Sequence, residues 1–97
     1  MADITFEVSG PKHYVIFVVP KGALDKPVLV PIDHATNKGV MSLAAGDYQI
    51  YYTFWGKAGD KIKIDISKAG APLQGSPVED KIDSGTAESD ENEFRVA

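Results

Sequence analysis

The 97-residue sequence contains no cysteine. No disulfide can therefore hold the fold together, and no thiolate is available as a nucleophile or a metal ligand. Small secreted scaffolds often carry disulfides, so the lack of cysteine favours a reducing compartment. Residues 1–8 also lack the basic and apolar regions of a signal peptide. These two features predict a cytoplasmic protein.

Long apolar runs and basic clusters are missing as well. No stretch approaches the roughly 20 apolar residues of a membrane-spanning helix, so we expect no membrane span. Residues 1–77 hold eight lysines against seven acidic residues, whereas residues 78–97 hold two basic residues against seven acidic ones. Because nucleic-acid binding depends on a basic surface, nucleic acid is not an expected partner.

Signatures of catalysis are scarce. The sequence has no Gly-x-Ser-x-Gly motif, and its carboxylates fall mostly in turns or at outward strand positions. Asp33 and His34 form the closest acid–imidazole pair, and with His13 they could approach one ion. Asp33 more simply caps a turn and leaves His34 at the surface. We therefore predict that the chain is not an enzyme, with no catalytic residues, no metal site and no cofactor.

Alternation of apolar and polar residues indicates β-strands along most of the chain. Ile4, Phe6 and Val8 alternate with polar residues, and Lys61–Ile66 repeats this pattern. Turn residues separate the segments, and no helix of convincing length is indicated. The fold class predicted is all-β, a small antiparallel β-sandwich of six or seven strands. The predicted strands cover residues 3–8, 13–19, 28–32, 40–44, 48–55 and 61–66, with a seventh at 93–96 left open.

A tyrosine near the start of the fifth strand adds detail to this fold. The spacing Leu43-x-x-Gly46-x-Tyr48 resembles the tyrosine corner, in which a tyrosine hydroxyl bonds to the backbone a few residues upstream. It is similar to the pattern of fibronectin type III domains and of bacterial Ig-like and prealbumin-like modules. The resemblance covers about eight residues, and it implies an Ig-like or prealbumin-like sandwich rather than common ancestry.

The change in composition after residue 67 suggests two segments. Residues 68–77 are rich in Gly, Ala and Pro, and the residues after them are polar and acidic. We predict a β-sandwich domain at 1–77 and an acidic C-terminal segment at 78–97. Phe94 and Val96 could form a short strand at a sheet edge, or the segment could fray as chain ends often do.

The fifth strand presents large rings on both of its sides. Tyr48, Ile50, Tyr52 and Phe54 suit the core, which leaves Tyr51, Thr53 and Trp55 on the opposite side. Should the strand at 13–19 be its neighbour, Val15 and Phe17 would join that side. The candidate binding residues are therefore Val15, Phe17, Tyr51, Thr53 and Trp55.

Exposed aromatic side chains in a row favour binding over chemistry. Tyr and Trp are frequent anchors at protein interfaces, and a patch of this size exceeds what monomers usually expose. The leading hypothesis is a non-enzymatic binding or assembly module that contacts a protein partner or self-associates. The alternative is a carbohydrate-binding module in which Tyr51 and Trp55 stack on sugar rings. A third interpretation is that the C-terminal segment, or the loop at 21–26, covers the patch.

Overall fold

The computed structural model describes all residues 1–97, and it contains nine β-strands and no helix. It therefore has no helix that could cross a bilayer. The strands are β1 (Ala2–Ser9), β2 (His13–Pro20), β3 (Val28–Leu29), β4 (Lys38–Leu43), β5 (Gly46–Trp55), β6 (Lys61–Lys68), β7 (Ala71–Pro72), β8 (Val78–Lys81) and β9 (Ala87–Val96).

The strands form two antiparallel sheets. In the first, called sheet I, β1 lies between β4 and β6, and both β7 and β8 pair with the far side of β6. In the second, called sheet II, the order is β3-β2-β5-β9. The prediction of an all-β, antiparallel fold is confirmed.

The core lies between the inner faces of the two sheets. Nineteen buried hydrophobic residues form one cluster, and strands of both sheets contribute to it. On β1, Ile4, Phe6 and Val8 point inward, as their alternation predicts. Phe6 meets Phe94 of sheet II edge to face, with ring centroids 5.9 Å apart. No polar or charged residue is buried, so hydrophobic burial holds this two-layer, sandwich-like arrangement together.

The predicted number of six or seven strands is wrong, because the chain has nine. The short strands β7 and β8 lie in the Gly-, Ala- and Pro-rich stretch and in the acidic segment, at positions where no strand is predicted. Neither strand shows apolar alternation, because Val78 is the only buried residue in them. Backbone pairing with β6 positions both strands. β3 also ends at Leu29 rather than at Ile32. Pro31 has no N–H to donate to a ladder, which fits this early end.

Residues 78–97 contribute a strand to each sheet. β8 pairs with β6 in sheet I, and β9 pairs with β5 along ten residues at the edge of sheet II. Gln74 bridges the outer side of β9 at Arg95. The segment Phe94–Val96 is thus paired within its own sheet. Four core side chains come from residues 78–97: Val78, Ile82, Phe94 and Val96.

The hydrogen bond predicted for the tyrosine corner is present. The Tyr48 hydroxyl donates to the carbonyl oxygen of Ala44 at 2.6 Å. Its ring stacks on Phe94 of the neighbouring β9, with centroids 5.4 Å apart. Gly46, between these positions, has a φ of 148°, a conformation that favours glycine. The corner therefore joins the β4–β5 turn to the edge of sheet II.

Candidate binding face

Strand pairing places all five candidate residues on the outer face of sheet II. β2 and β5 are neighbours, and in their register Phe17 lies opposite Tyr51 and Val15 opposite Thr53. Trp55 lies one pair further along, opposite His13. Directly opposed side chains in an antiparallel pair are about 4.5–5.5 Å apart at Cβ. Val15, Phe17, Tyr51 and Thr53 therefore form one contiguous group, and Trp55 lies at its end.

The two outer strands extend this group sideways. Leu29 on β3 lies opposite Phe17, and Glu91 on β9 lies opposite Tyr51. The row Leu29, Phe17, Tyr51, Glu91 therefore crosses all four strands, a width of about 14 Å at usual strand spacing. Ser89 on β9 continues the adjacent row beyond Thr53. We call the surface formed by Val15, Phe17, Leu29, Tyr51, Thr53 and Trp55 the aromatic face.

The rings of the aromatic face are open to solvent. Phe17 is 37% exposed, Tyr51 38%, Trp55 44% and Leu29 56%, while Val15 and Thr53 are half-buried. The chain has eight exposed large hydrophobic side chains. Four belong to the aromatic face, and the other four are Leu24, Val28, Met1 and Val40. Large exposed apolar patches mark interaction sites more often than chance surface.

The outer face of sheet I is different in character. Along β1 and β6 its outward positions are polar or charged, and they carry both signs. Val40 on β4 is its one large exposed hydrophobic side chain. The outward residues of β1 and β6 are Asp3, Thr5, Glu7, Ser9, Lys61, Lys63, Asp65 and Ser67. The two sheets thus share a core but present opposite surfaces.

A loop borders one end of the aromatic face. Val19 is 3% exposed although it is not part of the nineteen-residue core cluster. Leu24 and Pro27 of the loop at 21–27 border the same depression as Val19, Phe17 and Tyr51. Val19 is buried beside this loop, whereas Phe17 and Tyr51 stay exposed.

A shallow groove of about 290 Å³ lies between the aromatic face and β9. Val15, Phe17 and Tyr51 line one side, and Ser89 and Glu91 line the other. The hydroxyl oxygens of Thr53 and Ser89 are 2.7 Å apart, a hydrogen bond across the groove. The groove thus combines apolar rings with hydroxyl and carboxylate oxygens.

Polar contacts fix the Tyr51 hydroxyl at the edge of this groove. It donates to Gln49 Oε1 at 2.8 Å, and Glu91 lies opposite Tyr51 on β9. The neighbouring Glu91 carboxylate is the main cause that raises the pKa of Tyr51, and desolvation adds to it. The hydroxyl therefore stays protonated and remains a hydrogen-bond donor throughout the neutral range.

The charged residues around the groove are unevenly paired. Lys21 Nζ lies 2.9 Å from Glu93 Oε1, and Arg95 lies 3.5 Å from Asp47. Hydrogen bonding to Glu93 is also the main cause that raises the pKa of Lys21. Glu91 takes part in none of the four ion pairs of the structure. Asp90, which also lines the groove, is in none of them either, so two carboxylates of the groove have no basic partner.

Asp33 and His34 make separate contacts. Asp33 Oδ1 accepts a hydrogen bond from the backbone N–H of Ala35 at 2.9 Å, which closes a turn. The His34 ring packs on Tyr14 at 5.1 Å between centroids. The structure contains no group of three or more His, Cys, Asp or Glu side chains placed to hold a metal ion.

Three residues beside the candidate residues are not predicted from the sequence: Leu29, Ser89 and Glu91. Leu29 lies in a predicted strand, but nothing in the sequence pairs that strand with the one containing Phe17. Ser89 and Glu91 lie in a strand whose outward and inward positions are both polar before Phe94. The spacing of Phe94 and Val96 was the only period-two signal in that segment.

Comparisons with family models, with curated proteins and with solved structures each found no match to this chain.

Proposed function

We propose that the chain is a non-enzymatic binding or assembly module that docks onto another protein chain through the aromatic face. The observation that carries this proposal is the contrast between the two outer surfaces. Sheet I presents mixed charges, whereas sheet II presents Phe17, Leu29, Tyr51 and Trp55. Tyr and Trp are enriched among the residues that dominate binding energy at protein interfaces.

The distribution of ionisable groups supports a binding role over catalysis. No charged residue is buried, so no carboxylate or imidazole is held in the apolar surroundings that tune a catalytic group. The three tyrosines with shifted pKa values, Tyr14, Tyr51 and Tyr52, are all shifted upward. A raised pKa makes a phenol a poorer source of phenolate at neutral pH.

Two serine substitutions on opposite faces test the docking role. Phe17→Ser removes the central ring of the aromatic face, and Val40→Ser, its control, removes the exposed valine of sheet I. Sedimentation velocity over a range of concentrations measures self-association, and binding of the apolar dye bis-ANS measures accessible apolar surface. We expect Phe17→Ser to reduce whichever property the wild type shows, self-association or dye binding, and Val40→Ser to leave it unchanged.

Two outcomes would contradict the docking role. One is a wild type that stays monomeric and binds no more dye than Phe17→Ser does. The other is an equal effect of Phe17→Ser and Val40→Ser. Circular dichroism of both variants confirms that neither has lost the fold, since both side chains are exposed and surface substitutions usually change stability little.

Carbohydrate binding is the second candidate function. Tyr51 and Trp55 are four residues apart on one strand face, about 13 Å at the usual rise, and the Thr53–Ser89 hydroxyl pair lies between them. Rings next to hydroxyl oxygens can stack on a sugar and bond to it. Trp55 is the only tryptophan, so its fluorescence reports on this site. A glycan panel that leaves the emission unchanged would remove this candidate.

We also infer that the fold is an Ig-like or prealbumin-like sandwich and that the protein is cytoplasmic. The Tyr48–Ala44 hydrogen bond supports an Ig-like or prealbumin-like sandwich, and superposition of an experimental structure on such domains tests it. The lack of cysteine supports a cytoplasmic location, which fractionation of the expressing cells tests.

A further inference from the structure

The groove beside Tyr51 offers the chemistry of a site for a cationic side chain. Its apolar side carries the rings of Phe17 and Tyr51, and its polar side carries Glu91. Aromatic faces attract cations, and a carboxylate accepts charge-assisted hydrogen bonds. The Thr53 and Ser89 oxygens, 2.7 Å apart, add acceptors. A flat group with several N–H donors and an apolar stem matches all of these features.

The charges of β9 make this part of the molecule negative. Glu88, Asp90, Glu91 and Glu93 lie within six residues, and Arg95 is the only basic residue of the strand. Lys21 compensates Glu93, while Glu88, Asp90 and Glu91 form no ion pair. The pKa of Tyr52, raised mainly by burial and by its hydrogen bond to Asp80, is raised further by Asp90 and Glu88. A cation approaching the groove therefore meets an attractive field.

A second copy of the chain does not supply the matching group. The sequence contains one arginine, Arg95, and it lies on β9 itself and is paired with Asp47 at 3.5 Å. The net charge of −4 also makes two copies repel one another at low salt. Charge complementarity therefore favours a different, basic chain as the occupant.

The outer edge of β9 is not well suited to pair with a strand of a partner protein. The outward N–H of Glu91 is satisfied by Asp90 Oδ1 at 2.8 Å, and that of Arg95 by the Gln74 carbonyl at 3.0 Å. An added strand would have to displace both partners. Recognition through side chains in the groove requires no such change.

We propose that the aromatic face binds a segment of another protein in which apolar side chains alternate with arginine, one guanidinium lying in the groove against Tyr51 and Glu91. This inference rests on the proposed docking function and specifies its partner. The planar guanidinium stacks on a ring and bonds to a carboxylate at once, which a lysine ammonium does less well. The apolar side chains of the segment contact Phe17 and Leu29.

Three synthetic peptides test the partner's chemistry. One alternates leucine with arginine, the second replaces arginine with its neutral isostere citrulline, and the third uses lysine. Calorimetric titration of the full chain measures each affinity. We expect the arginine peptide to bind most tightly, with about fivefold weaker binding of the citrulline peptide, the effect of one exposed charge pair. Added salt should weaken the arginine peptide and leave the citrulline peptide unchanged.

Matched variants place the effect on the groove. Glu91→Gln keeps the shape and removes the charge, so it should weaken the arginine peptide about fivefold and leave the citrulline peptide unchanged. Glu79→Gln, an exposed acid on β8 of sheet I, should change neither affinity. Phe17→Ser should weaken all three peptides, because it removes the shared apolar contact.

The outcomes separate this inference from the function on which it rests. Equal affinity for the arginine and citrulline peptides, with loss of both in Phe17→Ser, overturns the guanidinium site and keeps the docking face. A homodimer that Phe17→Ser dissociates does the same, because the occupant is then a second copy. No binding by any peptide, with a monomer unaffected by Phe17→Ser, overturns both.

Discussion

At the scale of single residues, two tyrosine hydroxyls of β5 tie this strand to its surroundings, one to the turn before it and one to the opposite sheet. Tyr48 bonds to the Ala44 carbonyl at the corner before β5. Tyr52 donates to Asp80 Oδ2 on β8 at 2.8 Å and so links sheet II to sheet I. Both rings are almost fully buried while their hydroxyls reach polar partners, which is the usual arrangement for a buried tyrosine.

The corner hydrogen bond should have a measurable effect on stability. Tyr48→Phe keeps the ring on Phe94 but leaves the Ala44 carbonyl without this donor. We expect the free energy of unfolding to fall by about 1 kcal/mol, the usual net effect of one hydrogen bond. Tyr51→Phe, which removes an exposed hydroxyl, should change it by less than about 0.5 kcal/mol. Urea denaturation of both variants makes the comparison, and equal effects would contradict the corner's role.

The Tyr52–Asp80 contact should make stability depend on pH at the alkaline end. Burial and the hydrogen bond to Asp80 raise the pKa of Tyr52 above its ordinary value of 10.0, so the folded chain favours the protonated phenol. The stabilisation is complete below about pH 10 and is lost as the pH rises further. Tyr52→Phe should therefore be less stable than wild type at pH 7, with a gap that narrows above about pH 10. Urea unfolding across this range measures the gap, and a constant gap would contradict the assignment.

At the scale of elements, β9 determines both the fold and the site. It pairs with the whole of β5, supplies Phe94 and Val96 to the core, and carries Glu91 and Ser89 beside the groove. A strand with four acidic residues among ten can form here because β5 provides its backbone partners. Only Phe94 and Val96, near its end, are buried. β9 is therefore an integral strand of sheet II.

Removal of β9 should abolish the fold. A chain ending at Thr86 loses the burial of Phe94 and Val96 and exposes the ladder of β5. Truncation of one buried phenylalanine alone typically costs about 3–5 kcal/mol, a large share of the stability of a domain this small. We expect no cooperative urea transition for the truncated chain, and about 3–5 kcal/mol lost in Phe94→Ala. A truncated chain with the wild-type midpoint would show that β9 is dispensable.

The strands also show which parts of the fold can be predicted from the sequence. Alternation in β1 and β6 predicts their buried sides, because hydrophobic spacing reports directly on which side is buried. β2 and β5 are apolar on both sides, so the predicted outward position of Phe17, Tyr51 and Trp55 depends on assigning the alternate residues of these strands to the core. Sequence spacing does not report which strands become neighbours. The adjacency of Leu29 to Phe17 and of Glu91 to Tyr51 therefore emerges only from the sheet order, and acidic β9 gave almost no apolar signal.

At the scale of the whole molecule, the chain has two unlike surfaces over one core. Sheet I carries mixed charges outward, and sheet II carries rings with an acidic strand along one edge. A radius of gyration of 12.9 Å is that of a compact domain of about 100 residues, so the exposed rings do not result from loose packing. The asymmetry of the surfaces is the basis for assigning a docking role to the aromatic face.

Site-specific photo-crosslinking in the cells that express the chain tests this role most directly. Phe17 is replaced by the photoreactive residue benzoylphenylalanine, and a second variant carries the same residue in place of Val40 on sheet I. We predict a discrete crosslinked product from position 17, competed by excess of the arginine–leucine peptide, and none from position 40. No product from position 17, or the same products from both positions, would contradict a docking function of the aromatic face.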